Sequence, residues 1–71
     1  MLKTDFQAAL RGKLRAVPLA TRKTWDDTAL FIWWLEAKKN DSYLTWDRCP
    51  GGDPWQWVPG MCRDLIGEKA D

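Results

Sequence analysis

Thr24-Trp25-Asp26-Asp27-Thr28-Ala29-Leu30-Phe31-Ile32-Trp33-Trp34-Leu35-Glu36-Ala37-Lys38-Lys39-Asn40 decides the fold. It reads as one helix with both ends marked. Thr24 is placed to cap it. Asp26 and Asp27 fall in the first turn, where the helix dipole favours anions, and Lys38 and Lys39 in the last, where it favours cations. Asn40 tolerates a left-handed conformation and is a fitting exit residue. Between these ends Leu30, Trp33, Trp34 and Ala37 form one stripe, Phe31 and Leu35 widen it, and Ile32 lies behind. A helix apolar around most of its circumference belongs at the centre of a domain, so the rest of the chain is expected to wrap it.

Upstream, Thr4 and Gln7 have the spacing of a capping box, which predicts a first helix starting after Thr4. Phe6, Leu10, Leu14 and Val17 share a face of that helix, and Pro18 ends it. Leu19 to Lys23 reads as a basic connector. Downstream, Ser42 to Cys49 fits a short helix capped by Asp41 or Ser42 better than a strand, because a lone strand has no partner. Pro50-Gly51-Gly52 is a turn. Asp53 as cap, Pro54 in the first helical position and Gln56 three residues after the cap predict a short helix over 54–58. Pro59-Gly60 should then kink the chain before a segment from Met61 to Ile66, closed by Gly67, with 68–71 frayed. The reading is all-α: a compact bundle of three or four short helices with a tryptophan-rich core, in one domain over 1–71.

Seventy-one residues are few for a stable core. Small domains reinforce themselves with disulfides, a metal, or dense apolar packing. Six tryptophans, two phenylalanines and a tyrosine point to the third route. The N-terminal Met1-Leu2-Lys3-Thr4-Asp5 has no apolar run behind its lysine, and Ala29 to Leu35 is too short to span a bilayer. No signal peptide or membrane contact is expected, and the expected location is cytoplasmic. Cys49 and Cys62 should be free thiols there.

The net charge of +1 hides an asymmetry. Residues 1–23 carry a balance of +5 and residues 24–71 a balance of −4, so a basic head joins an acidic helical body over 24–67. Arg11, Lys13, Arg15, Arg22 and Lys23 either fold against that body or meet an anionic partner. The apolar anchor should be Trp55 or Trp57, which face nearly opposite sides of a short helix and cannot both be buried easily. Replacing Arg11, Lys13 and Arg15 with alanine should then abolish partner binding and leave the thermal midpoint nearly unchanged.

Enzyme chemistry finds little to work with. There is no histidine, no nucleophile that could be paired with an imidazole, and no phosphate-cradling glycine loop, since Gly51-Gly52-Asp53-Pro54 lacks the lysine and the hydroxyl. Asp26-Asp27 is explained by its place at a helix start. Two cysteines fall short of the four ligands of a structural zinc. The expectation is a non-enzymatic monomer with no cofactor and no metal, acting by binding.

The run Trp46-Asp47-Arg48-Cys49-Pro50-Gly51-Gly52-Asp53-Pro54-Trp55-Gln56-Trp57, with the chain's length and tryptophan density, gives the protein the character of a bacteriophage gene product. In size and type it resembles the phage-encoded transcription factors that bind bacterial RNA polymerase. That resemblance is one of length and character, without a motif, and carries over no site residue. It implies a protein partner, host RNA polymerase or another host enzyme, that is inhibited or redirected without catalysis. The alternative is a nucleic-acid binder using the basic head, with Trp25 adjacent for stacking.

Overall fold

A computed structural model describes residues 1–71. The chain is all-helical, with α1 at Lys3–Arg15, α2 at Leu19–Arg22, α3 at Asp27–Asn40 and α4 at Val58–Cys62. Single 3-10 turns flank α4 at Pro54–Gln56 and Arg63–Leu65, and there is no strand.

α1 buries Phe6, Leu10 and Leu14 on the face their spacing dictates. Its start differs from the expected capping box. Thr4 is already inside the helix, and Leu2 holds the cap position without a side-chain hydrogen bond. The chain end does the anchoring instead. The Met1 ammonium donates to the Asp47 carboxylate at 3.0 Å, and the Met1 carbonyl accepts from the Asp47 N–H at 2.7 Å.

After Pro18 the expected connector is a single helical turn, α2. This displaces the next cap as well. The Thr24 hydroxyl donates back to the Thr21 carbonyl at 2.7 Å, closing α2, and so is not available to α3. Asp26 takes the role, its Oδ1 accepting from the Ala29 N–H at 2.9 Å. At the other end Asn40 remains helical, and Asp41 is the exit residue.

α3 buries Leu30, Trp34 and Ala37, and Trp34 is the one fully enclosed tryptophan. The expectation that the chain wraps this helix is corrected. Phe31, Ile32 and Leu35 are exposed, Ile32 most of all at 61%. The remaining elements are a thirteen-residue helix and several one-turn pieces. They cover one face of α3 and part of its flanks.

Ser42 to Cys49 is irregular, not helical. Leu44 is buried in the core, and the Trp46 ring stacks on Phe6 with centroids 5.6 Å apart. Residues two apart on a helix point about 200° from each other, so a helix here could not deliver both side chains to one core. The loop then turns through Gly51 and Gly52, both at φ near +80°. The left-handed conformation favours glycine there, and a Cβ on Gly51 would approach the Gln56 side-chain amide to 3.0 Å.

Asp53 caps as expected, accepting from the Trp55 N–H at 3.1 Å, but the turn it opens ends at Gln56. Pro59-Gly60 does not interrupt a helix. Pro59 sits in the first turn of α4, where a missing N–H leaves no bond unmade. Gly67, at φ +84°, closes the segment, and its N–H donates to the Arg22 carbonyl at 3.0 Å. The last residues do not fray as expected. Ala70 is buried, and the Asp71 N–H donates to the Asp64 carbonyl at 3.2 Å.

The core thus joins Phe6, Leu10 and Leu14 to Leu30 and Trp34, with Leu44, Val58, Cys62 and Leu65 closing it from the C-terminal half. Trp25, Trp33, Trp46 and Trp55 are half-buried and pack against this core, which already holds Phe6 and Trp34.

Candidate interaction surface

Three of the five basic side chains expected at a partner interface are engaged within the chain. The Arg11 guanidinium grips Asp64 with two bonds of 2.6 and 2.8 Å and donates to the Met61 carbonyl at 2.7 Å, tying α1 to α4 and the turn after it. Lys13 pairs with Asp41 across the end of α3. Arg22 is 5% exposed and donates to the carbonyls of Val17 at 2.9 Å and Leu65 at 2.7 Å, with a longer contact to that of Asp71 at 3.5 Å. Because Arg11 and Lys13 hold distant parts of the chain together, replacing Arg11, Lys13 and Arg15 with alanine is expected to lower the thermal midpoint. Arg15 and Lys23 are exposed and make no ion pair.

The Arg11–Asp64 pair is electrostatically distinct. The guanidinium's hydrogen bonds hold the Asp64 carboxyl down at about 2, well below its ordinary value, and the same bonds raise Arg11. Beside it, burial pushes the Cys62 thiol up to about 11, so it is neutral at physiological pH. Cys49 is half-exposed, and both thiols are free. No three Cys, Asp or Glu side chains converge as metal ligands.

Trp55 and Trp57 lie in different settings. Trp55 is half-buried with its ring edge-on to Phe31, centroids 4.9 Å apart. Trp57 is 41% exposed, its indole N–H donates to the Pro50 carbonyl at 3.0 Å, and its ring meets Trp46 at 6.1 Å. The structure does not bring the seven expected site residues into one patch. Arg11, Lys13 and Arg22 act as internal ties, and Trp55 lends its edge to a different surface.

That surface is the outside of α3. Phe31 and Leu35, one turn apart, share a flank, and Ile32 lies beside Leu35 on the outward face. Across the helix, Trp25, Ala29, Ile32, Trp33 and Glu36 line a shallow groove of about 320 Å³. At its C-terminal end Leu35 borders a larger cleft of about 500 Å³ between α3 and the loop, with Trp34 and Trp46 in its lining and Lys38 and Lys39 beside them. The sequence reading assigned Phe31, Ile32 and Leu35 to the core and the two lysines to the helix dipole. The available warning was arithmetic: so short a chain has too little material to cover a helix all round.

No protein family matches the sequence, and no curated protein or solved structure is similar to it. No helix is long and apolar enough to cross a membrane.

Proposed function

We propose that the protein is a non-catalytic binding module that seats the outer face of α3 on an apolar surface of a larger protein. One observation carries this reading. Phe31, Ile32 and Leu35 stand uncovered side by side at 38%, 61% and 40% exposure, although the fold buries thirteen other apolar residues. Contiguous exposed apolar side chains of this size are the mark of an interaction site. Trp55, edge-on to Phe31, extends the patch with an aromatic of the kind that anchors interfaces.

Bacterial RNA polymerase is the first partner to test, on the likeness in size and character to phage transcription factors. Binding there would inhibit or redirect the enzyme by occupying a surface. A role in neutralising phosphates has less support, because Arg11, Lys13 and Arg22 are already spoken for.

The test is capture from a nuclease-treated bacterial lysate, alongside purified RNA polymerase, using the wild type and Ile32→Asp. A discrete protein held by the wild type and released by the variant supports the reading. Retention that vanishes on nuclease treatment, or that Ile32→Asp leaves intact, contradicts it.

A further inference from the structure

We propose that the cleft at the C-terminal end of α3 receives an aromatic or long aliphatic side chain from an acidic stretch of a partner protein. The inference rests on the binding reading above and specifies the partner's chemistry.

The cleft is lined by two chemistries. Its apolar lining is Trp34, Leu35, Leu44 and Trp46, of which Trp34 and Leu44 are nearly inaccessible, so Leu35 and Trp46 supply the apolar surface a guest can touch. Polar groups join this lining as Lys38, Lys39 and Asp53. At about 500 Å³ the open cleft has room for one large side chain. The Lys38 ammonium lies 5.8 Å from the centroid of the Trp34 ring, so a cation already covers the indole face.

The charges here are uncompensated on the lysine side. Neither Lys38 nor Lys39 has an ion-pair partner. Of the two acidic residues nearest in sequence, Asp41 is held by Lys13, and Glu36 lines the groove of Trp25 and Trp33 instead of the cleft. Asp53, which accepts from the Trp55 N–H, adds one carboxylate to the lining against the two ammonium groups, so positive charge is in excess. Two unpaired ammonium groups beside an indole surface favour a guest that is apolar at its tip and anionic at its base. The negative end of the α3 dipole opposes that preference, and the two ammonium groups, each a full charge, outweigh it. Leu35 belongs to the exposed ridge and to the cleft lining alike, so a partner lying along α3 runs into the cleft without a break. That continuity favours a segment of a protein over a free small anion.

The experiment is fluorescence anisotropy of a labelled peptide rich in aspartate and glutamate with one central phenylalanine. Two comparison peptides replace the phenylalanine with alanine or the acids with lysine. The acidic phenylalanine peptide should saturate the wild type, and each comparison peptide should bind at least about tenfold more weakly, a difference of about 1.4 kcal/mol. Lys38→Glu with Lys39→Glu should weaken binding at least as much, and Lys38→Ala with Lys39→Ala by an intermediate factor, with thermal melts confirming that both variants fold. Lys3→Glu with Lys69→Glu, on exposed residues outside the cleft lining, should change nothing.

Failure to saturate below about 1 mM overturns the proposal. So does equal binding of the lysine peptide, or indifference to both double variants at Lys38 and Lys39. If the peptide fails while Ile32→Asp still abolishes partner capture, the cleft inference falls alone. If the peptide binds as expected and Ile32→Asp changes no capture, the α3 reading falls and the cleft stands.

Discussion

Arg22→Ala is the perturbation whose size the structure fixes best. Arg22 was read from the sequence as a candidate partner contact, yet its guanidinium is 5% exposed and bonds the carbonyls of Val17 and Leu65. Those two contacts tie the α1–α2 junction to the C-terminal turn, 43 residues apart in the longer case. Hydrogen bonds from a charged donor are worth about 1.5–3 kcal/mol each. Taking the lower figure for each, the pair is worth about 3 kcal/mol. For a domain of this size each kcal/mol moves the midpoint by about 4–8 °C, so a fall of about 12–24 °C is expected. Arg22→Lys keeps the charge but cannot span both carbonyls from a single ammonium, and should recover less than half of the loss. Thermal melts followed by tryptophan fluorescence and by far-ultraviolet circular dichroism measure this. A midpoint for Arg22→Ala within a few degrees of the wild type would refute the assignment of Arg22 as an internal tie.

Asp64 makes stability depend on acid. Its carboxyl is held at about 2 in the folded chain against an ordinary 3.8, so the ionised form favours folding above about pH 4, and that contribution is lost as the pH falls toward 2. The side chain is 63% exposed, and after allowance for solvent screening the effect is about 1 kcal/mol or less. Denaturant titrations at pH 5 and pH 2.5 should show it, and Arg11→Ala should flatten the difference. The two thiols should separate kinetically: Cys49 reacts with a disulfide reagent at pH 8 in the native protein, whereas the buried Cys62, held up at about 11, reacts only on unfolding. Asp26→Ala should cost about 1 kcal/mol through loss of the α3 cap, while Thr24→Ala, which was expected to remove that cap, should leave the helix start intact.

The parts legible in the sequence are those where local chemistry and packing agree. Phe6, Leu10 and Leu14 recur at helical spacing and are all fully buried. Gly51-Gly52 and Asp53 mark a turn and a cap that need only their own backbone. The misread parts are those where a distant residue decides. Thr4 and Thr24 both carry cap chemistry, but Met1 is anchored by Asp47 and Thr24 is drawn back to Thr21. Tyr43 to Trp46 has helix-compatible residues, but Phe6 and the core require Leu44 and Trp46 to point the same way. The sequence left open whether the basic head folds against the acidic body or meets a partner, because charge balance carries no information on pairing. Asp64, 53 residues from Arg11, settles that pairing only in three dimensions. The candidate surface was hidden for a related reason: apolarity on α3 marks what could be buried, and only the lengths of the other elements show what is left uncovered.

Photocrosslinking asks most directly whether α3's exterior is where the protein meets its target. A photoreactive amino acid in place of Ile32 points into solvent from the most exposed apolar position of the helix. Irradiation in a nuclease-treated bacterial lysate should join it to one protein species, and the same group at Lys69, outside the α3 ridge, should yield no such adduct. A specific adduct from position 69 with none from position 32 would contradict the placement of the contact on α3.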